Sequence, residues 1–227
     1  PNPRLIPLAQ ANSKHTMVLM HSHTGHFNYH QGLIAKLSAV IDMVGITPDR
    51  ALWMASKSGD ISQIIDDYIE QLLPLKSKPL ILTGWSLGGK LMVLMAKRMQ
   101  ALGFTISAVA IIDFDLAQTL TETDDAQQLI EDFNDLRVTQ QIDLLPEQVE
   151  LITRNLTGSY QQAMQQLLAH PQMNLLVEQS TVEDVEQRFM QRWQFKQQLY
   201  QAVTPVIDSP IWLWRGNGFM SPAQIWQ

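Results

Sequence analysis

The chain has 227 residues, 45% of them hydrophobic, with no cysteine and a formal net charge of −6. That is enough apolar content for one sizeable core, and one domain carrying an insertion is the expectation. The missing thiol rules out disulfides, cysteine–zinc sites and cysteine nucleophiles. The acidic balance, with no basic stripe, reads against nucleic acid and an anionic membrane surface, and no apolar run approaches the roughly 20 residues of a membrane span.

The first half alternates strands and helices. His15–Met20 is an apolar run that reads as a buried strand. Tyr29 to Ile41 carries Leu33, Ile34, Leu37, Val40 and Ile41 at helical spacing. Ala51–Ala55 reads as a second strand. Ile61 to Leu73 is an amphipathic helix, with Ile61, Ile64, Ile65, Tyr68, Ile69 and Leu72 on one stripe and Asp66, Asp67 and Glu70 on the other side; Pro74 helps end it. Pro79–Thr83 is a short apolar strand, Leu87 to Leu102 an apolar helix closed by Gly103, and Thr105 to Ile112 a strand rich in β-branched residues. Strands separated by helices imply a mainly parallel sheet with helices on both faces.

The pattern changes near Leu116. Residues 116–204 are helix-rich and glutamine-rich, and stretches such as Tyr160–Leu168 have the spacing of amphipathic helices. Ser209–Arg215 returns to strand character. The expected organisation is therefore a core over 1–115, a helical lid insertion over 116–204, and a return to the core over 205–227. The sequence begins at Pro1 and shows no signal peptide, so a piece of a longer cytoplasmic polypeptide, with an incomplete C-terminus, is expected.

The chemistry centres on Gly84-Trp85-Ser86-Leu87-Gly88, a G-x-S-x-G pentapeptide. With a strand before it and a helix after it, the pattern reads as a nucleophile elbow, the strained turn that presents a serine in α/β-hydrolase-like chains. Gly84 and Gly88 are needed where a Cβ would collide with a neighbouring element. The helix starting at Leu87 turns its positive end toward Ser86, where negative charge develops in acyl transfer. The competing reading is a glycine-rich turn with Ser86 as a helix N-cap.

A serine hydroxyl needs a base, and usually an acid to orient that base. Asp113 directly follows the strand after the elbow, Asp115 is its rival two residues on, and no acidic residue occurs from Arg215 to the end. Asp113 is favoured as the first residue off the strand; its competing role is a cap for the insertion's first turn. The base is missing. The six histidines are His15, His21, His23, His26, His30 and His170, none after the strand at 210–215, and His170 is a weak candidate within the insertion. The expected base lies beyond Gln227, and a catalytically dead relative is the other account. After the first strand, Met20 to His26 is the loop that would supply one backbone oxyanion donor, from His23 or Thr24, with the second from Leu87. Its clustered histidines, with no acidic partner nearby, make only a weak zinc pattern, and no metal is expected.

Pro79–Gly89, Ala96–Phe104 and Val109–Asp113 together resemble the type I thioesterase domains that end nonribosomal peptide and polyketide synthases, members of the α/β-hydrolase superfamily. The resemblance covers most of residues 15–115. It implies Ser86 as nucleophile and Asp113 as triad acid. Where the family reads His-Pro-x-x-Gly, this chain has His21-Ser22-His23-Thr24-Gly25, without the proline. The implied substrate is an acyl or peptidyl chain held as a thioester on the phosphopantetheine of a carrier domain, expected in the same polypeptide, with no cofactor bound by this chain itself. The rivals are a stand-alone editing thioesterase, a small-ester carboxylesterase, and a catalytically dead module that docks carrier domains.

Overall fold

The computed structural model describes residues 5–21, 27, 30–47, 61–114, 116, 125–139, 144–173 and 182–214. Their strands are β1 (Leu5–Ala9), β2 (Thr16–Met20), β3 (Asp42–Ile46), β4 (Leu80–Trp85), β5 (Ile106–Ile112) and β6 (Ile211–Trp214). Their α-helices are α1 (Gln31–Leu37), α2 (Ile61–Leu72), α3 (Leu87–Ala101), α4 (Asp125–Thr139), α5 (Pro146–Thr153), α6 (Tyr160–Leu168) and α7 (Val182–Gln201). The sheet runs β1-β3-β2-β4-β5-β6, antiparallel only between β1 and β3 and parallel at the other four junctions. The chain divides into two compact units, one of residues 1–119 and 198–227, the other of residues 120–197.

In the first unit the central strands carry the continuous apolar runs of a sheet buried on both faces: all of β2 is buried, and so are Leu82 of β4 and Ala108 to Ile111 of β5. Helix α2 buries Ile64, Ile65, Tyr68, Ile69 and Leu72, the stripe expected from its spacing, while Asp66 faces outward to Arg98 of α3. Helix α3 is apolar almost all round and buried accordingly, from Leu87 to Met99. It ends as the sequence predicts. Gly103 takes φ 82°, its N–H donates to the Gln100 carbonyl and that of Phe104 to the Met99 carbonyl, at 2.9 and 3.0 Å, a Schellman cap.

Two strands were not legible in the sequence. β1 contains Pro7 and sits at the sheet's edge, where a proline is tolerated, with an irregular register between Pro7 and Ala9. β3 contains Gly45, which reads as a breaker. Here it makes room, because a Cβ on it would lie 2.5 Å from the ring of Phe27. The helix expected over 29–41 is correspondingly shorter, with a turn after Leu37 leading into β3. The strand expected at 51–55 lies outside the described residues.

The second unit has its own core, built from Ala126, Leu129 and Phe133 of α4, Tyr160, Ala163, Met164 and Leu167 of α6, and Val185 and Phe189 of α7. Helix α6 begins at a capping box, in which Ser159 Oγ accepts from the Gln162 N–H and Gln162 Oε1 accepts from the Ser159 N–H. A polar knot runs through this core. Asp132, fully buried, accepts from the Tyr160 hydroxyl at 2.8 Å and from Lys196 Nζ at 2.5 Å, and Tyr160 stacks on Trp193.

Candidate functional site

Ser86 leaves β4 with φ 51° and ψ −132°, and Leu87 opens α3 directly after it. That backbone corner belongs to the first central residue of a type II′ turn, where glycine dominates. A serine there is strained, as an elbow requires. Ser86 holds the N-cap position, yet its side chain makes no capping hydrogen bond, so its hydroxyl is not engaged in the role that the competing reading gives it.

Three glycines let the turn close. A Cβ on Gly84 would lie 2.2 Å from the Gly88 carbonyl oxygen and 2.5 Å from the Gly89 nitrogen. One on Gly89 would lie 2.6 Å from Ile111 Cγ2 of β5, and one on Gly88 would lie 3.3 Å from Met20 Cγ of β2. The first turn of α3 thus rests on β4, β5 and β2 at once. Gly84 and Gly88 were expected to serve this packing; Gly89 joins them. The N–H of Leu87 is at the first helical position, where no intrahelical acceptor exists.

Asp113 stands at the matching point of the next strand. β4 and β5 are parallel neighbours with Trp85 opposite Ile112, so Ser86 and Asp113 are the next residues off adjacent strands, on the same carboxyl edge of the sheet. Adjacent strands lie about 4.8 Å apart. The Ser86 N–H donates to the Ile112 carbonyl and the Asp113 N–H to the Trp214 carbonyl, each at 2.7 Å. Ligand crevices of open α/β sheets form at this edge. Asp113 also has φ 60°, so two of the three non-glycine residues with positive φ among the described residues are the two that sequence reasoning had singled out for chemistry. Aspartate tolerates this region better than most residues. Asp115, His23 and Thr24 lie outside the described residues.

Around this edge stand further groups. His21, the first residue past β2, is buried, and its Nε2 shares a short hydrogen bond with the Tyr68 hydroxyl of α2. The sequence showed Tyr68 only as one member of an apolar stripe. His30, just before α1, is 1% exposed and donates from Nε2 to the Met20 carbonyl at 3.0 Å. Burial holds its imidazole below the ordinary value, against the smaller opposing effect of that hydrogen bond. Lys90, on the first turns of α3, is buried, donates to the Tyr200 carbonyl at 3.1 Å, and has its pKa lowered by desolvation. His15 precedes β2, at the far end of the sheet, and His170 belongs to the second unit. Among the described residues no group of histidines and carboxylates is arranged to hold a metal ion, and no helix is long and apolar enough to cross a membrane.

Comparison with solved structures finds the same architecture. A four-domain nonribosomal peptide synthetase bound to AMP and glycine matches 92% of this chain at 18% identity and a TM-score of 0.67, and this chain spans only 16% of its length. The NocB thioesterase domain of the nocardicin cluster matches 92% of this chain and 74% of its own, at 17% identity and a TM-score of 0.56. YbtT, a type II thioesterase of the yersiniabactin pathway, matches 94% and 78%, at 17% identity and a TM-score of 0.59. At these identities the likeness is one of fold, and it is the α/β-hydrolase-like, mainly parallel sheet with helices that the sequence predicts. No curated protein matches the chain in sequence. The family model for the thioesterase domain matches residues 15–208, and the chain belongs to that family.

Proposed function

We propose that the chain releases an acyl or peptidyl group from the phosphopantetheine of a carrier domain through an acyl-serine intermediate. The observation that carries this reading is the strained Ser86 at the head of α3 with Asp113 as its register neighbour on β5. Ser86 Oγ attacks the thioester carbonyl as a base takes its proton, and Asp113 orients that base. The negative oxygen so formed is held by backbone N–H groups, one from Leu87 and one from His23 or Thr24. Such a donor is worth roughly 3 kcal/mol of barrier. The carbon–sulfur bond then breaks, the phosphopantetheine thiol leaves with a proton, and water or a nucleophile within the chain releases the acyl group from Ser86. The helical residues 116–204 act as the lid, and a carrier domain of the same polypeptide is the donor.

The test uses the protein with a fluorophosphonate and with an acyl thioester of a phosphopantetheine mimic. Labelling confined to Ser86, and loss of both labelling and thioester cleavage in Ser86→Ala, are expected. Full cleavage by Ser86→Ala overturns the mechanism. One observation favours a second reading: His21 and His30 each have Nε2 committed to a buried hydrogen bond. A chain that is never labelled, yet binds a carrier domain, is the docking module instead.

A further inference from the structure

Tyr68 is fully buried on α2, and its hydroxyl shares a hydrogen bond with Nε2 of His21, 47 residues away in sequence. The rings are tilted at 58° with centroids 5.6 Å apart. A phenylalanine would fill the same space without an oxygen to satisfy, and burying a hydroxyl and an imidazole is unfavourable unless they meet. What this pair holds is the exit from β2. The His21 carbonyl oxygen is 3.6 Å, and Met20 Cγ 3.3 Å, from where a Cβ on Gly88 would stand, so the chain leaving β2 lies against the first turn of α3. One residue earlier, the Met20 carbonyl is held by His30. The peptide that joins Met20 to His21 is therefore anchored on both sides, within two residues of Ser86 along the elbow.

We propose that Tyr68 is a positioning residue for acyl transfer: acting through His21, it fixes the main chain at the end of β2 against Gly88 and so sets the backbone geometry that Ser86 meets in the transition state. This rests on the proposed role of Ser86. Transition-state geometry is sensitive to displacements that leave ground-state binding unchanged. Tyr68 therefore governs the rate of the step at Ser86 more than the affinity for the acyl group.

The test follows saturable phosphonylation of Ser86 by a fluorophosphonate in the wild type, Tyr68→Phe, His21→Phe and the double variant. Tyr68→Phe is expected to lower the maximal labelling rate about tenfold and to move the half-saturating concentration less than about twofold, the scale of one hydrogen bond. In the double variant the two losses do not multiply, because one acts through the other. Hydrogen exchange in peptides covering Leu19–Phe27 and Gly84–Met92 is expected to rise in Tyr68→Phe. Wild-type labelling by Tyr68→Phe, or losses that multiply, overturns the proposal. A wild-type chain that is not labelled overturns the proposed function and with it any effect on rate; unchanged exchange in the same variants then also removes Tyr68 as the anchor of His21.

Discussion

Ser86→Gly and Ser86→Ala delete the same hydroxyl, yet the fold predicts different stabilities for them. At φ 51° and ψ −132° a residue with a Cβ sits in a corner that glycine occupies freely. Strain of this kind is on the order of 1–3 kcal/mol. Alanine keeps it and glycine relieves it. Glycine in turn loses more chain freedom on folding, about 0.5–1 kcal/mol. No capping hydrogen bond of the serine side chain is lost in either variant. The glycine variant is therefore expected to be the more stable of the two by about 1 kcal/mol. Urea unfolding followed by far-ultraviolet circular dichroism resolves this, because at a slope of about 2 kcal/mol/M the midpoints differ by about 0.5 M. Both variants also lose labelling. An alanine variant as stable as the glycine variant, at equal slopes, refutes the strained elbow.

Gly84→Ala drives a methyl group to 2.2 Å from a backbone carbonyl oxygen, which must retreat by about 1 Å to reach an ordinary carbon–oxygen contact. A loss above about 3 kcal/mol, or failure to fold, is expected in urea titration. Gly32→Ala, with nothing within 4 Å of the new methyl group on α1, is expected to stabilise by about 0.5 kcal/mol and serves as its control. Asp132→Asn leaves Lys196 buried without its carboxylate and is expected to cost about 3–5 kcal/mol, read as a lowered melting temperature; a loss below about 1 kcal/mol refutes the buried pair. Burial lowers the pKa of His30 from 6.5, so it binds a proton more readily when unfolded. Its share of stability is complete above pH 6.5 and falls as pH drops from 6.5 toward the folded value, by up to about 1.4 kcal/mol per pH unit. Between about pH 7.5 and about pH 5.5 the wild type is expected to lose more stability than His30→Gln in urea midpoints, and equal losses refute the assignment. Asp42, whose backbone hydrogen bond from Ala11 lowers its pKa below 3.8, acts in a separate, more acidic window.

The elements legible in the sequence are those whose local pattern and tertiary role agree. β2, β4 and β5 are continuous apolar runs because both faces are covered, and α2 shows its stripe because only one face is. α6 shows in the apolar spacing of Tyr160–Leu168, and the structure adds a start at which Ser159 and Gln162 satisfy each other within one turn. β1 and β3 were hidden because Pro7 and Gly45 are tolerated for reasons that lie elsewhere in the chain, an open sheet edge in one case and the Phe27 ring in the other. The same division runs through the site. Gly84, Ser86 and Gly88 are a local motif and can be read directly. The His21–Tyr68 bond spans 47 residues and leaves no local mark, because a buried tyrosine in an apolar stripe has the same pattern whether or not its hydroxyl has a task.

Among the described histidines of the first unit, distance along the sheet removes His15 as a base for Ser86. His15 precedes Thr16, which pairs with Leu80, and Ser86 stands six residues further along β4, about 20 Å away at about 3.3 Å per residue. A base must come within about 2.6–3.2 Å of the hydroxyl it deprotonates. His30 and His21 each have Nε2 tied into a buried hydrogen bond, to the Met20 carbonyl and the Tyr68 hydroxyl. Releasing either one leaves a buried polar group bare, at about 1–3 kcal/mol. Both bonds hold the end of β2, whose His21 carbonyl lies against Gly88 of the elbow. Asp113 donates its N–H to the carbonyl of Trp214, the last residue of β6, so the carboxyl ends of β4, β5 and β6 come together at the edge where Ser86 stands.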